Sequence, residues 1–300
     1  MDEFKAFCIS LGCKAYLNEP MSRHTSFKIG GNADYLIYPN SLKTLKAVLD
    51  YAKQKGIKTY FIGRGSNLLV SDKGVRGAVI CLDEFCEINL EDENTIVCSA
   101  GIALSRLSYF AYRNSLSGLE FAWGIPGSVG GAVYMNAGAY GGEIKDVIEK
   151  TCHLTETLLE GEFTKNELKL SYRQSVYSKV PYCITYAQFK LCKDEKKAIK
   201  ARMDDYLARR KQKQPLEYPS AGSTFKRPLN AYASQLIDEC GLKGRTVGGA
   251  MVSDKHAGFV INYNNATCSD VLSLVDIIKT EVKQKKGKSL ECEIKLLGEF

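Results

Sequence analysis

The spacing of apolar residues along the chain predicts a mixture of amphipathic helices and short strands. Over residues 42–52 the apolar positions recur every three or four residues, which is the spacing of one face of a helix. Ser41, Asn230 and Ser269 stand before such runs and are predicted N-caps. Helices are predicted at about 42–55, 102–116, 194–213, 231–240 and 270–286.

Other segments are short and rich in β-branched or aromatic residues, which is typical of strands. Helices and strands mix without strict β–α–β alternation, so the pattern favours an α+β fold over a doubly wound sheet. Composition changes near the highly charged segment 194–213, where we place a domain boundary. Strands are predicted near 34–38, 58–62, 78–82, 95–99, 147–153, 183–191, 258–262 and 292–297. We predict domains at 1–192 and 193–300, the first split into two subdomains near 75–80.

Composition adds few constraints. The 300 residues are 45% hydrophobic and 25% charged, as in an ordinary globular protein. No apolar run approaches the length of a membrane span, and the N-terminus lacks the features of a signal peptide. We therefore expect a cytoplasmic protein with no membrane partner and no obligate protein partner.

The metal-binding residue types are scattered. The eleven cysteines form no CxxC pair, and His24, His153 and His256 lie far apart in the sequence. This spacing argues against a zinc site, and no metal is predicted. An odd cysteine count without a signal peptide predicts reduced thiols in a cytosol.

The net charge of +7 is concentrated in RRKQK (209–213), Lys226-Arg227 and KQKKGK (283–288). Two interpretations stay open: solvated helix faces, or attraction of an anionic ligand. The basic runs lack interleaved aromatic residues, so no nucleic-acid partner is predicted.

Two glycine-rich segments are candidate ligand loops. GRGSNLLVSDKG (63–74) begins like a dinucleotide fingerprint, but Leu68 stands where the third glycine belongs. A Walker loop at Gly287-Lys288-Ser289 is also excluded, because Val282 occupies the position of its first glycine. Segment 63–74 is therefore either a phosphate cradle of backbone N–H groups or a plain turn. GIPGSVGGAVYMNAGAYGG (124–142) is uncharged and contains apolar side chains, which favours a buried loop beside a flat cofactor over a linker.

Three further segments have ambiguous chemistry. SYRQSVY (171–177) is either functional or a surface strand end, and PSAGSTFKRP (219–228) is either an anion-binding loop or a polar turn. In LECEIKLLGEF (290–300), alternation places Glu291 and Glu293 on one side of a strand. They face solvent if residues 290, 292, 294 and 296 face a core. An arginine, a serine and a glutamate together would suit polarising a carboxylate and protonating a carbon, but spacing alone does not join them.

Seven segments, in order from about residue 20 to the end, resemble the UDP-N-acetylenolpyruvoylglucosamine reductase family. They are HTSFKIGGNADYLIYP (24–39), IGRGSNLLVSDKGVRG (62–77), GLEFAWGIPGSVGGAVYMNAGAYGGEI (118–144), SYRQSVY, PSAGSTFKRP, ECGLKGRTVGGAMVSDKHAGFVIN (239–262) and LECEIKLLG. Each motif alone is modest, whereas seven in this order are highly specific.

The resemblance implies an FAD-binding fold of the p-cresol methylhydroxylase and vanillyl-alcohol oxidase type. In that fold two α+β subdomains hold noncovalent FAD between them, and a C-terminal α+β domain binds the substrate. The implied reaction reduces UDP-N-acetylglucosamine enolpyruvate to UDP-N-acetylmuramate in peptidoglycan precursor synthesis. NADPH gives a hydride to the flavin, and flavin N5 passes it to C3 of the enolpyruvyl group.

The resemblance also implies roles for single residues. Arg173 and a protonated Glu293 bind and polarise the substrate carboxylate, while Ser223 protonates C2, with Lys226 stabilising its alkoxide. The resemblance further implies that Lys226 and Arg227 contact the diphosphate of the UDP substrate. The implied cofactor-binding residues are Gly63, Gly65, Ser66, Asn67, Leu68, Gly124, Pro126, Gly130, Gly131, Ala132 and Asn136, with His24 and Thr25 near the flavin end.

The chain departs from the family pattern in places. Many relatives have Asn at the position of Arg227, and Arg64 stands where a small residue is frequent. Only 50 residues separate Arg173 from Ser223, which implies the shorter type II form without a substrate-covering tyrosine loop. Two rival interpretations are another flavoenzyme of the same fold and a basic polyanion-binding protein.

Overall fold

A computed structural model describes residues 2–300 of the chain. The chain folds into two compact units, each assembled from separate stretches. Unit 1 holds the chain up to Leu17, residues 35–64 and residues 77–210, whereas unit 2 holds residues 18–34, 65–76 and 211–300. Helices and strands mix in both units, which confirms the predicted α+β class. The domain boundary at 192 and the subdomain split near 75–80 stay predictions.

Within residues 2–300 the fold comprises eight α-helices and eighteen strands, many of them short. The helices are α1 (Glu3–Ser10), α2 (Leu42–Gln54), α3 (Leu104–Arg113), α4 (Val129–Tyr134), α5 (Ile144–Val147), α6 (Lys196–Lys213), α7 (Ala233–Glu239) and α8 (Cys268–Lys286). The strands are β1 (Lys14–Pro20), β2 (Asn32–Tyr38), β3 (Thr59–Ile62), β4 (Leu68–Val70), β5 (Val75–Cys81), β6 (Ile88–Leu90), β7 (Thr95–Ser99), β8 (Leu116–Ser117), β9 (Gly138–Ala139), β10 (Gly142–Glu143), β11 (Ile148–Leu154), β12 (Glu160–Thr164), β13 (Cys183–Lys190), β14 (Cys192–Lys193), β15 (Thr246–Val247), β16 (Ala250–Val252), β17 (Val260–Asn262) and β18 (Lys295–Leu297). None of the helices in this range combines the length and the apolar composition that crossing a bilayer requires.

Unit 1 is built on two larger sheets around one continuous apolar core. The first sheet has the strand order β1-β2-β5-β3, with β3 parallel to β5. The second is antiparallel, in the order β12-β11-β13-β7-β6. Helix α2 buries Leu45, Val48, Leu49 and Ala52, the face that the apolar spacing predicts.

Unit 2 has a separate apolar core, to which both α7 and α8 contribute. Its strands form the antiparallel sheet β15-β16-β17 and the parallel pair β4–β18. The carboxylate of Asp72, just after β4, accepts hydrogen bonds from the backbone N–H groups of Cys268 and Ser269 at 2.8 and 3.0 Å. This contact fixes the start of α8 against the segment that follows β4.

The predicted N-cap of the last helix is wrong. Helix α8 begins after Thr267, whose hydroxyl accepts from the N–H of Asp270 at 3.0 Å. The Asp270 carboxylate accepts in return from the N–H of Thr267 at 2.9 Å. This reciprocal pair satisfies two N–H groups that have no partner inside the helix, so it fixes the N-cap at Thr267, two residues before Ser269.

The cap predicted for α7 is also wrong, whereas the one predicted for α2 is confirmed. Tyr232 precedes α7 without a side-chain cap, and Asn230 lies in left-handed backbone with a φ of 54°. Asparagine tolerates that conformation well, so the residue is used in the preceding turn instead. Ser41 caps α2 as predicted, accepting from the N–H of Thr44 at 3.2 Å.

The C-terminal strand is shorter than predicted. Only Lys295–Leu297 is regular strand, and Leu296 is 51% exposed rather than core-facing. Glu291 is exposed but Glu293 is half-buried, so the interpretation of both glutamates as solvated is wrong for Glu293. Alternation fails here because residues before β18 pair with the chain only through an isolated bridge at Cys292.

Candidate active site

Unit 1 carries the glycine-rich stretch, and protein packing explains some of its glycines. A Cβ on Gly130 would lie 2.9 Å from the Cβ of Ala100, and one on Gly142 would lie 2.6 Å from the ring of Phe121. Both distances are too short for any side chain, so these positions require glycine with or without a ligand. Close packing within the protein therefore accounts for some of the bare backbone in this stretch.

Gly63 and Gly131 are both brought close to Ser128, at the start of α4. The Ser128 hydroxyl accepts from the N–H of Gly131 at 3.3 Å and caps the helix. A Cβ on Gly63 would lie 2.1 Å from the same hydroxyl oxygen. The start of the GRGSN loop and the start of α4 thus form one glycine-lined surface. Of the other predicted cofactor residues, Ser66 and Leu68 are half-buried, Pro126 is exposed, and Ala132 is in the core of unit 1.

Asn136 is completely buried, and its side chain is engaged with protein groups. Its Nδ2 donates to Oε2 of Glu143 at 2.7 Å and to the carbonyl of Ser171 at 3.0 Å. Its Oδ1 accepts from the N–H of Lys145 at 2.9 Å. The side chain therefore links the glycine-rich stretch to the SYR motif, and its contact with FAD stays a prediction.

Arg173 is the third residue of a tight turn. Ser171 and Gln174 exchange backbone hydrogen bonds of 3.1 and 3.2 Å across it. Arg173 has a φ of 56° and is half-buried, and its guanidinium carbon lies 5.0 Å from the ring centroid of Tyr172. A left-handed conformation is uncommon for arginine, and such residues persist only where the surroundings impose them.

Unit 2 pairs the AGST segment with the LECE segment. The N–H of Glu293 donates to the carbonyl of Thr224 at 2.9 Å, and the N–H of Lys226 donates to that of Glu291 at 2.8 Å. Ser223 directly precedes Thr224, and both Ser223 and Glu293 are half-buried. Two of the three predicted catalytic residues therefore lie on adjacent, hydrogen-bonded segments of one unit.

The second half of the GRGSN loop lies against the same segment. Nδ2 of Asn67 donates to the carbonyl of Glu293 at 3.2 Å, and the N–H of Lys295 donates to the carbonyl of Asn67 at 2.9 Å. Gly65 has a φ of 61°, and a Cβ there would lie 2.2 Å from the carbonyl oxygen of His24. Unit 2 thus brings together residues predicted for the cofactor and residues predicted for catalysis.

Buried threonines fix two of these loops. Thr224 donates its N–H to the carbonyl of Gly258 at 2.8 Å, and its hydroxyl accepts from the N–H of Val260 at 2.9 Å. The hydroxyl of Thr25 donates to the carbonyl of Ile29 at 3.2 Å. Thr25, a predicted flavin neighbour, therefore uses its hydroxyl within its own loop.

The cations predicted to meet the substrate already have neighbours. The ammonium of Lys226 pairs with the carboxylate of Glu291, which is exposed. The guanidinium carbon of Arg227 lies 4.8 Å from the ring centroid of Tyr232. A phosphate ligand would compete with Glu291 for Lys226.

Arg64, the bulky residue inside GRG, faces a carboxylate. Its Nη1 lies 3.6 Å from Oδ2 of Asp83. Burial raises the pKa of Asp83, against the opposing effect of the nearby Arg64 cation. Oδ1 of Asp83 has no hydrogen-bond partner among residues 2–300. This contact gives the Arg64 cation a carboxylate partner within unit 1.

Two donor groups beside the glycine-rich stretch were not predicted. Arg210, near the end of α6, approaches Gly124, where a Cβ would lie 3.1 Å from its Cδ. Burial lowers the pKa of its guanidinium, and within residues 2–300 it forms no ion pair with a carboxylate. The N–H groups of a guanidinium that is shielded from solvent can donate charge-assisted hydrogen bonds to an anion. The only sequence signal was the basic run RRKQK.

The indole N–H of Trp123, directly before the stretch, is buried and has no acceptor in the described chain, 2–300. A buried donor without a partner is costly, and a ligand acceptor would relieve that cost. Together with the shielded Arg210 and the glycine-lined surface at Ser128, this donor set fits an anionic, flat cofactor such as FAD.

Comparison with known proteins identifies both parts of the chain. Residues 33–162 match the family model of an FAD binding domain. Residues 214–297 match the family model of the UDP-N-acetylenolpyruvoylglucosamine reductase C-terminal domain. The predicted FAD cofactor is therefore confirmed.

Similarity to curated relatives and to a solved structure extends over nearly the whole chain. The reductase of that name from Syntrophomonas wolfei is 47% identical over 94% of this chain and 95% of its own length. The one from Caldanaerobacter subterraneus is 48% identical, over 95% and 94%. The crystal structure of the Thermus caldophilus reductase superposes with a TM-score of 0.80 at 35% identity, covering 95% of this chain and 98% of that one. The chain therefore belongs to the UDP-N-acetylenolpyruvoylglucosamine reductases, flavin-dependent oxidoreductases of peptidoglycan precursor synthesis.

Proposed function

We propose that the protein uses NADPH to reduce the enolpyruvyl group of UDP-N-acetylglucosamine enolpyruvate, giving UDP-N-acetylmuramate in the cytoplasm. The observation that carries this proposal is the 2.9 Å hydrogen bond from the N–H of Glu293 to the carbonyl of Thr224. It puts the segment of Ser223 beside that of Glu293, next to Asn67 of the cofactor loop. An acid, a hydroxyl and a cofactor loop thus share one small region.

FAD would be held largely by backbone. Gly63 and Gly65 to Leu68 are proposed for the pyrophosphate, and Gly124, Gly130, Gly131 and neighbouring residues for the remainder. The shielded guanidinium of Arg210 would add a charge-assisted contact to an anionic part of the cofactor. Bound FAD supplies hydride exchange between NADPH and C3 of the enolpyruvyl group.

Arg173 and Glu293 are proposed to bind the substrate carboxylate. Negative charge grows on this carboxylate and C2 when a hydride reaches C3, so a cation and a hydrogen-bond donor aimed there lower the barrier. Arg173 suits the task because its turn fixes its backbone before substrate binds. Glu293 would act in its protonated form, because a carboxylate can only accept hydrogen bonds.

Ser223 is proposed to give its hydroxyl proton to C2. A serine hydroxyl is a weak acid, so this transfer needs a strongly basic carbon and nearby cations for the alkoxide. Lys226 lies three residues further along the same loop. Gly222, with a φ of 76° and open space at its Cβ position, leaves room for substrate beside Ser223.

Separate measurement of the two half-reactions tests these roles. In the FAD-loaded protein, Ser223→Ala should keep flavin reduction by NADPH but lose oxidation of the reduced flavin by the enolpyruvyl substrate, by about a hundredfold or more. Ser220→Ala, which removes another hydroxyl of the same loop, is the matched control and should retain both. Equal loss of both half-reactions in Ser223→Ala would refute the proton-donor role.

A further inference from the structure

We propose that Asn136 is a positioning residue that holds Arg173 in its left-handed turn. The inference rests on the proposed function, in which Arg173 binds the enolpyruvyl carboxylate. Asn136 itself is buried within the protein and acts through the turn.

The turn lies largely at the protein surface. Ser171, Tyr172 and Gln174 are exposed, and Arg173 is half-buried. A left-handed conformation is unfavourable for a non-glycine residue, because its Cβ comes too close to the backbone. An exposed turn with that cost is free to change conformation unless other groups hold it.

Two hydrogen bonds hold the turn at its two ends. Nδ2 of Asn136 donates to the carbonyl of Ser171 at 3.0 Å, at the first residue of the turn. The hydroxyl of Ser175, just after the turn, donates to the carbonyl of Tyr134 at 2.8 Å. Asn136 is fully buried and Ser175 is 3% exposed, so breaking either bond leaves a shielded N–H or O–H proton without an acceptor. Both anchors are on the chain at the end of α4.

The surroundings also fix which way the Asn136 amide points. The N–H of Lys145 must face an acceptor, which assigns that side of the amide to Oδ1. Glu143 and the carbonyl of Ser171 are acceptors, so both face Nδ2. Asparagine also accepts the φ of 42° found here at low cost. A carboxylate of the same shape could not donate, so Asp cannot replace Asn in this role.

The test uses Asn136→Asp, which keeps the shape, and Asn136→Gly, which tolerates the left-handed backbone. Glu143→Gln keeps an acceptor oxygen for Asn136 and is the matched control. Two quantities are measured on the FAD-loaded protein: the Kd of UDP-N-acetylglucosamine enolpyruvate for the oxidised form, and the rate of flavin reduction by NADPH. We expect both Asn136 variants to raise that Kd about ten- to a hundredfold with little change in flavin reduction, and Glu143→Gln to match the wild type.

A double-mutant cycle with Arg173→Ala separates positioning from general structural damage. If Asn136 acts through Arg173, Asn136→Asp should have no further effect on the Kd in the Arg173→Ala background. Full additivity, or equal loss of substrate binding and flavin reduction, would overturn the inference. Should Arg173→Ala leave the Kd unchanged, the inference and the proposed role of Arg173 would both fail. Should Arg173→Ala raise it while Asn136→Asp does not, only the inference would fail.

Discussion

Gly65 is the residue whose replacement the backbone tolerates least in the GRGSN loop. Its φ is 61°, and a Cβ would lie 2.2 Å from the carbonyl oxygen of His24. Gly287 has nearly the same backbone, with a φ of 66°, but open space around its Cβ position. The two glycines therefore separate the cost of the left-handed conformation from the cost of the clash.

We expect Gly287→Ala to lower the free energy of unfolding by about 1 kcal/mol, the ordinary cost of a left-handed alanine. Gly65→Ala should cost clearly more, because the loop must also move away from His24, and FAD should be lost on purification. Urea unfolding and the bound flavin per chain measure both effects. Equal effects of the two substitutions would contradict the close approach at Gly65.

Motifs in the sequence identified the candidate catalytic residues but not the contacts that align them. Asn67 and Glu293 are 226 positions apart, so nothing local predicts the hydrogen bond between them. The sequence assigned Asn136 to FAD by motif, whereas its geometry shows a buried side chain engaged with the SYR turn. Arg210 was not singled out because the basic run around it fitted both solvated helix faces and attraction of an anion, and its shielding depends on tertiary packing.

At the scale of elements, an ion-pair cluster fixes α6 to the short helix Glu120–Ala122. Arg202 of α6 donates to Oε1 of Glu120 at 2.7 Å and also pairs with Asp194. Burial alone would raise the pKa of Glu120, but hydrogen bonds from Arg202 and the N–H of Gly118 outweigh it and hold that pKa below its usual 4.5. The charged form of Glu120 is thus stabilised by folding.

A folded-state pKa below the unfolded value gives a contribution to stability that is present above about pH 4.5 and lost as pH falls. Glu120→Gln should therefore lower the free energy of unfolding of unit 1 by roughly 1–3 kcal/mol at pH 7. It should also flatten the fall in stability that the wild type shows below about pH 4.5. Urea unfolding at several pH values checks this. Glu156→Gln removes an exposed carboxylate and should behave like wild type. An unchanged pH profile in Glu120→Gln would count against the cluster.

Periodicity predicted the long helices well because a helix face is a local property. α2 and α6 lie within two residues of their predicted bounds. The N-cap of α8 was missed because Ser269 and Thr267 are both acceptable caps, and the reciprocal bonds with Asp270 decide between them. The strand at 292–297 was overestimated because alternation does not reveal that only Lys295–Leu297 has a partner strand, β4.

At the scale of the whole molecule, the chain builds each unit from three separated stretches. Unit 2 takes residues 18–34 and 65–76 together with the C-terminal 90 positions from 211 to 300. Apolar patterns indicate which faces are buried but not which segments bury them. The sequence therefore suggests domains that are each one continuous stretch of chain. The consequence for function is that His24, Gly65 and Asn67 share a unit with Ser223 and Glu293.

We propose that this flavoprotein passes reducing equivalents to an enolpyruvyl ether. The most direct measurement reduces the bound FAD anaerobically with NADPH and then adds UDP-N-acetylglucosamine enolpyruvate. We expect the flavin's absorbance to return and one UDP-N-acetylmuramate to form for each flavin reoxidised. A flavin that stays reduced until oxygen is admitted, with no UDP-N-acetylmuramate formed, would contradict it.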